Sequence, residues 1–180
     1  FMKIAITGHT AGIGQALAQV YTNAGHEIVG LSKREGWNIR NIPKICDQIE
    51  LCDVFINNAQ AGYAQTELLF EMAQRWKDTG KHIVVISTMM TLVPVSPLPG
   101  LDMAHYRIQK LALEEMVKQL RNCHLGIKLT VVRPGNIATS ADKTVPPAAD
   151  VNEWAQYIVE TLDRANGKFR VQDISVGPLG

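Results

Sequence analysis

The feature that most restricts this chain's fold is a regular alternation of short β-type runs with longer stretches of helical period. Six runs read as strands: Lys3 to Thr7, Glu27 to Leu31, Asp53 to Asn57, His82 to Ser87, Lys128 to Arg133 and Phe169 to Val176. Between them, helical segments are punctuated by glycine: Gly14 to Ala24 before Gly25, Thr66 to Thr79 before Gly80, Ala104 to Cys123 before Gly126, and Val151 to Arg164 before Gly167. Pro43 opens a shorter helix ending near Glu50. Strands joined by helical crossovers lie parallel and are covered by helices. The expectation is an α/β fold, a doubly wound parallel sheet with helices on both faces. A chain of 180 residues builds one well-buried core rather than two full-size ones, so a single domain over residues 2–180 is expected. Phe1 ahead of Met2 is set aside as an expression remnant.

Composition removes several function classes. With 46% apolar and 19% charged residues the chain is too apolar for global disorder. Its 18 Lys and Arg are scattered and leave a formal charge of +1, so no nucleic-acid partner is expected. Cys46, Cys52 and Cys123 fit neither a zinc knuckle nor a disulfide framework and read as buried reduced thiols. No apolar run approaches the roughly 18 residues of a membrane helix, and the chain enters its first strand without a signal-like region. A cytoplasmic protein without a membrane partner is expected. His82, His105 and His124 show no ligand spacing, so no metal is expected. Trp37, Trp76 and Trp154 are too dispersed for a stacking platform and are assigned to core or interface.

Two motifs carry chemistry. Thr7-Gly8-His9-Thr10-Ala11-Gly12-Ile13-Gly14 follows an apolar strand and opens a helix. Its glycines permit a tight turn, close approach of backbone to a pyrophosphate and close helix packing, while the helix N-terminus offers unpaired N–H groups to the anion. No Lys-Ser or Lys-Thr pair follows, so this is not a P-loop. His9 inside the turn reads as a turn residue or phosphate neighbour. The second motif, Tyr106-Arg107-Ile108-Gln109-Lys110, places a phenol and an ammonium on one helical face. A nearby cation favours the phenolate, which is expected to bring the Tyr106 proton closer to neutral pH.

With these motifs in order along most of its length, the chain resembles the short-chain dehydrogenase/reductases, as a truncated member. The family's TGxxxGxG matches Thr7 to Gly14, its NNAG matches Asn57-Asn58-Ala59-Gln60, its YxxxK matches Tyr106 and Lys110, and its PGxxxT matches Pro134 to Thr139. The resemblance implies a Rossmann-type domain moving a hydride between a nicotinamide dinucleotide and a small carbonyl or alcohol substrate. Tyr106 would be the acid or base on the substrate oxygen, and Lys110 would lower its pKa and hold the nicotinamide ribose. The family's active-site serine aligns with Thr88, with Ser87 one residue before it; successive strand residues face opposite sides, so only one can serve. Thr88 is favoured and Ser87 kept as the alternative.

The implied cofactor contacts are Gly8, His9, Thr10, Gly12, Ile13 and Gly14 in the turn, then Asn58 and Ala59, and finally Pro134, Gly135, Ile137 and Thr139 around the carboxamide. Ser32, Lys33 and Arg34 follow the second strand, with Ser32 in the slot where an acidic residue selects NAD. Two cations there favour the 2′-phosphate, so NADP(H) is expected over NAD(H). Glu35 lies beyond that contact and is expected to pair with a neighbouring cation.

There are departures from the family pattern. Gln60 replaces the last glycine of NNAG, and no asparagine stands between Asn58 and Asn122 to match the one that holds a relay water. The stretch from Gly36 to Pro43 is too short for a full strand and crossover, so the edge strand is expected to be vestigial, with Asn38 replacing the adenine-contacting Asp. These departures motivate an alternative: a dinucleotide-binding regulatory or scaffold protein that has lost efficient turnover. An epimerase would share Tyr106 and Lys110 but need a larger lobe than the 41 residues after Thr139 provide. The proline-holding segments Thr91 to Asp102 and Thr139 to Asp150 follow strands and are where a substrate pocket is expected. Apolar positions Leu68, Leu69, Met72 and Trp76 on one helix, and Leu111, Leu113, Met116, Val117 and Leu120 on another, exceed what one sheet is expected to cover. A homodimer or homotetramer is therefore expected.

Overall fold

A computed structural model describes residues 1–93, 103–140, 146–164 and 169–179. Strand β1 (Lys3–Thr7) is followed by helix α1 (Gly12–Asn23), β2 (Glu27–Leu31), α2 (Ile42–Ile49), β3 (Val54–Asn57), α3 (Ala64–Arg75) and β4 (His82–Ile86). The chain continues through α4 (Met103–Asn122), β5 (Lys128–Pro134), the two-residue strands β6 (Ile137–Ala138) and β7 (Ala149–Asp150), α5 (Val151–Arg164) and β8 (Asp173–Val176). Six strands form one parallel sheet in the order β2-β1-β3-β4-β5-β8, and β6 pairs with β7 in a parallel ribbon. This is the doubly wound α/β architecture the alternation implies. The order turns outward in both directions from β1 and β3, and in sheets of this kind ligands bind beyond the carboxyl ends of the strands at such a switch point.

The period of two in each strand divides the core. Ala5, Phe55, Ile83, Val85, Leu129 and Val131 face α2, α3 and α4, while Ile4, Ile6, Ile56, Val84, Ile86 and Val132 face α1 and α5. Leu31 is followed by a 3-10 turn (Lys33–Glu35) and then α2, with no strand between, so β2 forms the sheet edge. The vestigial-edge expectation agrees with this.

Several expectations are corrected. The last strand covers only Asp173–Val176, because the residues from Phe169 to Gln172 have no ladder partner beyond the Val131 N–H to Gln172 carbonyl bond. Helix α3 ends at Arg75, and Asp78 and Gly80 at positive φ turn the chain into β4. Cys46 and Cys52 are buried free thiols, but Cys123 is exposed at the end of α4. Of the apolar positions on and beside α3 and α4, Leu68, Leu69, Met72, Trp76, Leu113, Val117 and Leu120 are buried and Met116 packs against the same core, while Leu111 is half-buried. These positions belong largely to the chain's own core, where α3 packs against both α2 and α4, and by themselves they do not call for a homodimer or homotetramer. Of the two expected pocket segments, residues 94–102 and 141–145 lie outside the described residues. Among the described residues no helix is long and apolar enough to cross a membrane, and no group of three or more His, Cys, Asp or Glu is placed to hold a metal.

Candidate active site

The Gly-rich turn connects β1 to α1. Gly8 and Gly12 adopt φ of +73° and +54°, a conformation that L side chains rarely adopt. A Cβ on Gly14 would lie 2.3 Å from the Gly8 carbonyl oxygen, so only glycine lets α1 start this close to the turn. Gly14→Ala is expected to destabilise the fold by about 1–3 kcal/mol, read as a lower thermal midpoint; an unchanged midpoint would mean that the turn has room to give.

Helix α1 carries no side-chain cap at Ala11 and no acid in its first turn, which leaves its N–H groups and positive dipole end open to an anion. Ile13 packs against the core under α1. Thr139 stands across from the turn, its Cβ 3.5 Å from where a Gly12 Cβ would be.

The turn is held from β3. Thr7 Oγ1 accepts from the backbone N–H groups of Asn58 and Ala59 at 3.0 Å, and Asn58 Nδ2 donates to the Thr7 carbonyl at 2.9 Å. Asn58 thus spends its amide on clamping the glycine turn. Gln60, in the place of the last NNAG glycine, hydrogen-bonds Gln109 of α4. Beyond β5, Gly135 donates its N–H to the Val176 carbonyl at 2.9 Å. Its lack of a side chain admits Gly177, whose Cα would be 2.7 Å from a Cβ there. Pro134 ends β5, and Ile137 sits in the β6-β7 ribbon.

At the end of β2, Ser32 is buried and shares a 2.8 Å hydrogen bond with Thr10 while accepting from the Arg34 N–H. Lys33 and Arg34 are exposed. Glu35 turns to His9, with Oε2 3.4 Å from Nε2. The His9 ring lies over Gly30, where a Cβ would come within 2.3 Å of it, so that mid-strand glycine seats the histidine. A glycine inside a strand is the signal that could have indicated this close approach. Asn38 accepts the Arg40 N–H in a local turn.

The end of β4 separates the two candidate hydroxyls. Ser87 points under α4, where its hydroxyl donates to Glu114 Oε1 at 2.5 Å. Glu114 also accepts from Thr91 Oγ1 at 2.8 Å and from Arg133 Nε and Nη2 at 3.0 and 2.8 Å, and Arg133 reaches Asp173 as well. Burial pushes the Glu114 carboxyl up, but Arg133 and the two hydroxyls outweigh it and hold the group below the usual carboxylate range. Thr88 lies on the other side, where its hydroxyl accepts from the Met90 N–H and is near enough to the half-buried Tyr106 phenol to favour its ionised form.

Lys110 sits one turn further along α4, its Nζ 5.8 Å from the centre of the Tyr106 ring. The sequence-based expectation about the phenol is corrected here. Burial raises the Tyr106 pKa against the opposing effect of the Thr88 hydroxyl, while burial lowers Lys110 to about 8, with Glu114 opposing. The reason is geometric: the ammonium is bonded to Gln65 Oε1 and the Ile86 carbonyl, both at 2.9 Å, rather than directed at the phenol oxygen. Sequence reasoning missed Gln65, Glu114 and Arg133. Gln65 and Glu114 are polar residues at otherwise buried helical positions, beside Leu68 and Leu69 or Leu113 and Val117, and that break in pattern was the available signal.

No protein-family model matches the chain, and no curated protein matches it in sequence. Solved structures match it over nearly its whole length. A short-chain dehydrogenase from Burkholderia cenocepacia in complex with NADP superimposes with a TM-score of 0.77 at 16% identity, covering 98% of this chain and 88% of that one. An NADPH-dependent 3-quinuclidinone reductase from Rhodotorula rubra gives 0.76 at 18%, covering 97% and 89%. A 3-ketoacyl-(acyl-carrier-protein) reductase from Brucella melitensis complexed with NADH gives 0.75 at 12%, covering 97% and 96%. The chain has a Rossmann-type α/β fold. Within that class its fold is similar to that of the short-chain dehydrogenases and reductases on which it superimposes.

Proposed function

We propose that this protein is a short-chain dehydrogenase/reductase that transfers a hydride between a nicotinamide dinucleotide and a small carbonyl or alcohol. The observation that carries the reading is the grouping of the Thr88 hydroxyl, the Tyr106 phenol and the Lys110 ammonium at the end of β4, on the same carboxyl-end side of the parallel sheet as the glycine turn. The residues present fit the cofactor: the uncapped start of α1 receives a pyrophosphate, and Thr139 with the Gly135 to Ile137 backbone lies where the carboxamide would be gripped. When bound, the dinucleotide supplies or accepts the hydride. Thr88 orients the substrate oxygen, Tyr106 gives or takes its proton, and Lys110 places a positive charge beside both and a donor toward the nicotinamide ribose. Ser87 is left out of this role because its hydroxyl is committed to Glu114. Cofactor oxidation measured against a panel of aldehydes and ketones tests the reading. Tight cofactor binding with a silent panel would support the regulatory or scaffold alternative instead.

NADP(H) is the proposed cofactor, in preference to NAD(H). No carboxylate occupies the slot after β2: Ser32 is tied to Thr10, Glu35 is turned to His9, and Lys33 and Arg34 are exposed to meet a phosphate. A charge-assisted contact of this kind is worth roughly 1.5–3 kcal/mol, about ten- to a hundred-fold in affinity. Lys33→Ala and Arg34→Ala are each expected to weaken NADPH binding by up to that factor and to leave NADH binding unchanged. Equal or tighter NADH binding by the unmodified protein would overturn the assignment.

A further inference from the structure

Gln65 is a buried amide on α3, reaching between two strand ends that already carry their own ladders. Its Nε2 donates to the Asn57 carbonyl at 2.8 Å and to the Ile86 carbonyl at 3.0 Å, while the Asn57 side chain returns a bond from Nδ2 to the Gln65 carbonyl at 3.0 Å. With both amide hydrogens committed, the rotamer is fixed and Oε1 has a single orientation. That oxygen accepts from Lys110 Nζ at 2.9 Å, and Nζ donates a second bond to the Ile86 carbonyl at 2.9 Å. A lysine ammonium has three donors. Two are therefore bound to the protein interior, and one remains.

We propose that Gln65 is a positioning residue of the site, its fixed side-chain carbonyl holding the Lys110 ammonium so that one N–H alone is left for ligand. This rests on the reaction proposed above only for what that ligand is. The physical argument is independent of it. A side chain as buried as Lys110 sheds its proton unless acceptors stabilise the charged form. Gln65 supplies a neutral acceptor on one side, and Glu114, one helical turn away, supplies negative charge on the other. Glu114 is itself neutralised by Arg133 of β5, and Tyr106 is the remaining titratable neighbour on α4. Gln65 thus contributes a hydrogen bond to the ammonium without adding a second counter-charge, which leaves Lys110 able to respond to a ligand.

The test reads Lys110 itself. In cofactor-free protein labelled with ¹⁵N-lysine, the Lys110 Nζ resonance is assigned by its absence from Lys110→Arg and titrated with pH. Gln65→Met removes the acceptor, and the titration is expected to move down by about one to two pH units. Gln65→Glu places a carboxylate at the same atom and is expected to move it up by about one unit or more. With the carbonyl substrate identified by the panel, kcat is expected to fall in both variants with its pH limb displaced in the same opposite directions, while KM for that substrate stays within about threefold. Titration curves that coincide with the unmodified protein's would overturn the proposal. Failure of both variants to fold would make Gln65 a structural residue only and would overturn it too. Because the resonance is read without turnover, an inactive panel refutes the reaction and leaves Gln65 standing, whereas a flat titration does the reverse.

Discussion

Tyr106→Phe is expected to lower kcat for hydride transfer by about 10²- to 10⁴-fold, the usual contribution of a positioned proton donor, while the dissociation constant of the cofactor stays within about threefold. The substitution removes one oxygen and keeps the ring that packs above Lys110, so binding surface is preserved. Burial holds the phenol in its protonated form to higher pH than an exposed tyrosine, which suits it to donating a proton to a reduced carbonyl at neutral pH. Single-turnover measurements with bound cofactor separate chemistry from binding. Retained turnover in the Phe variant would take Tyr106 out of the mechanism and leave the Thr88 hydroxyl as the proton source.

The second large effect concerns stability. Glu114→Ala is expected to cost about 3 kcal/mol, because it strands the mostly buried Arg133 guanidinium with one half-exposed partner, Asp173, and removes the acceptor of the buried Ser87 hydroxyl and one of the two acceptors of Thr91. For a chain of this size that is a fall of about 6–12 °C in the thermal midpoint. The pH dependence follows from the direction of the shift. Glu114 is held below the usual carboxylate range in the folded protein, so its stabilisation is fully present above the unfolded pKa of about 4.3 and is lost as pH falls through the folded value. The gap between the two proteins should be widest near neutral pH and close in strong acid. Equal midpoints at pH 7 would mean that the Glu114 network contributes nothing. Thr91 also donates to the Thr88 carbonyl, so a loosened network is expected to reach the Thr88 hydroxyl as well.

The features that could be read along the chain are those governed by short-range periodicity and turn chemistry. Alternation of strand and helix, the place of the glycine turn, the four-residue spacing that aligns Tyr106 with Lys110, and the missing carboxylate at Ser32 all lie within a few residues of one another, where backbone geometry leaves little choice. Strand alternation also implied that Ser87 and Thr88 must part, but not which of them turned toward which face. That was decided by Glu114, which arrives on α4, is held by Arg133 of β5 and accepts from the Ser87 hydroxyl beneath the helix. The same limit explains Lys110. Its partner lies 45 residues away on α3, and only the packing of α3 against the ends of β3 and β4 brings the Gln65 carbonyl within 2.9 Å. Coverage of the apolar faces of α3 and α4 depended likewise on neighbours remote in sequence. Local pattern states which side chains are apolar or titratable; which of them meet, and hence which charge is held where, is set by long-range packing that no single segment contains.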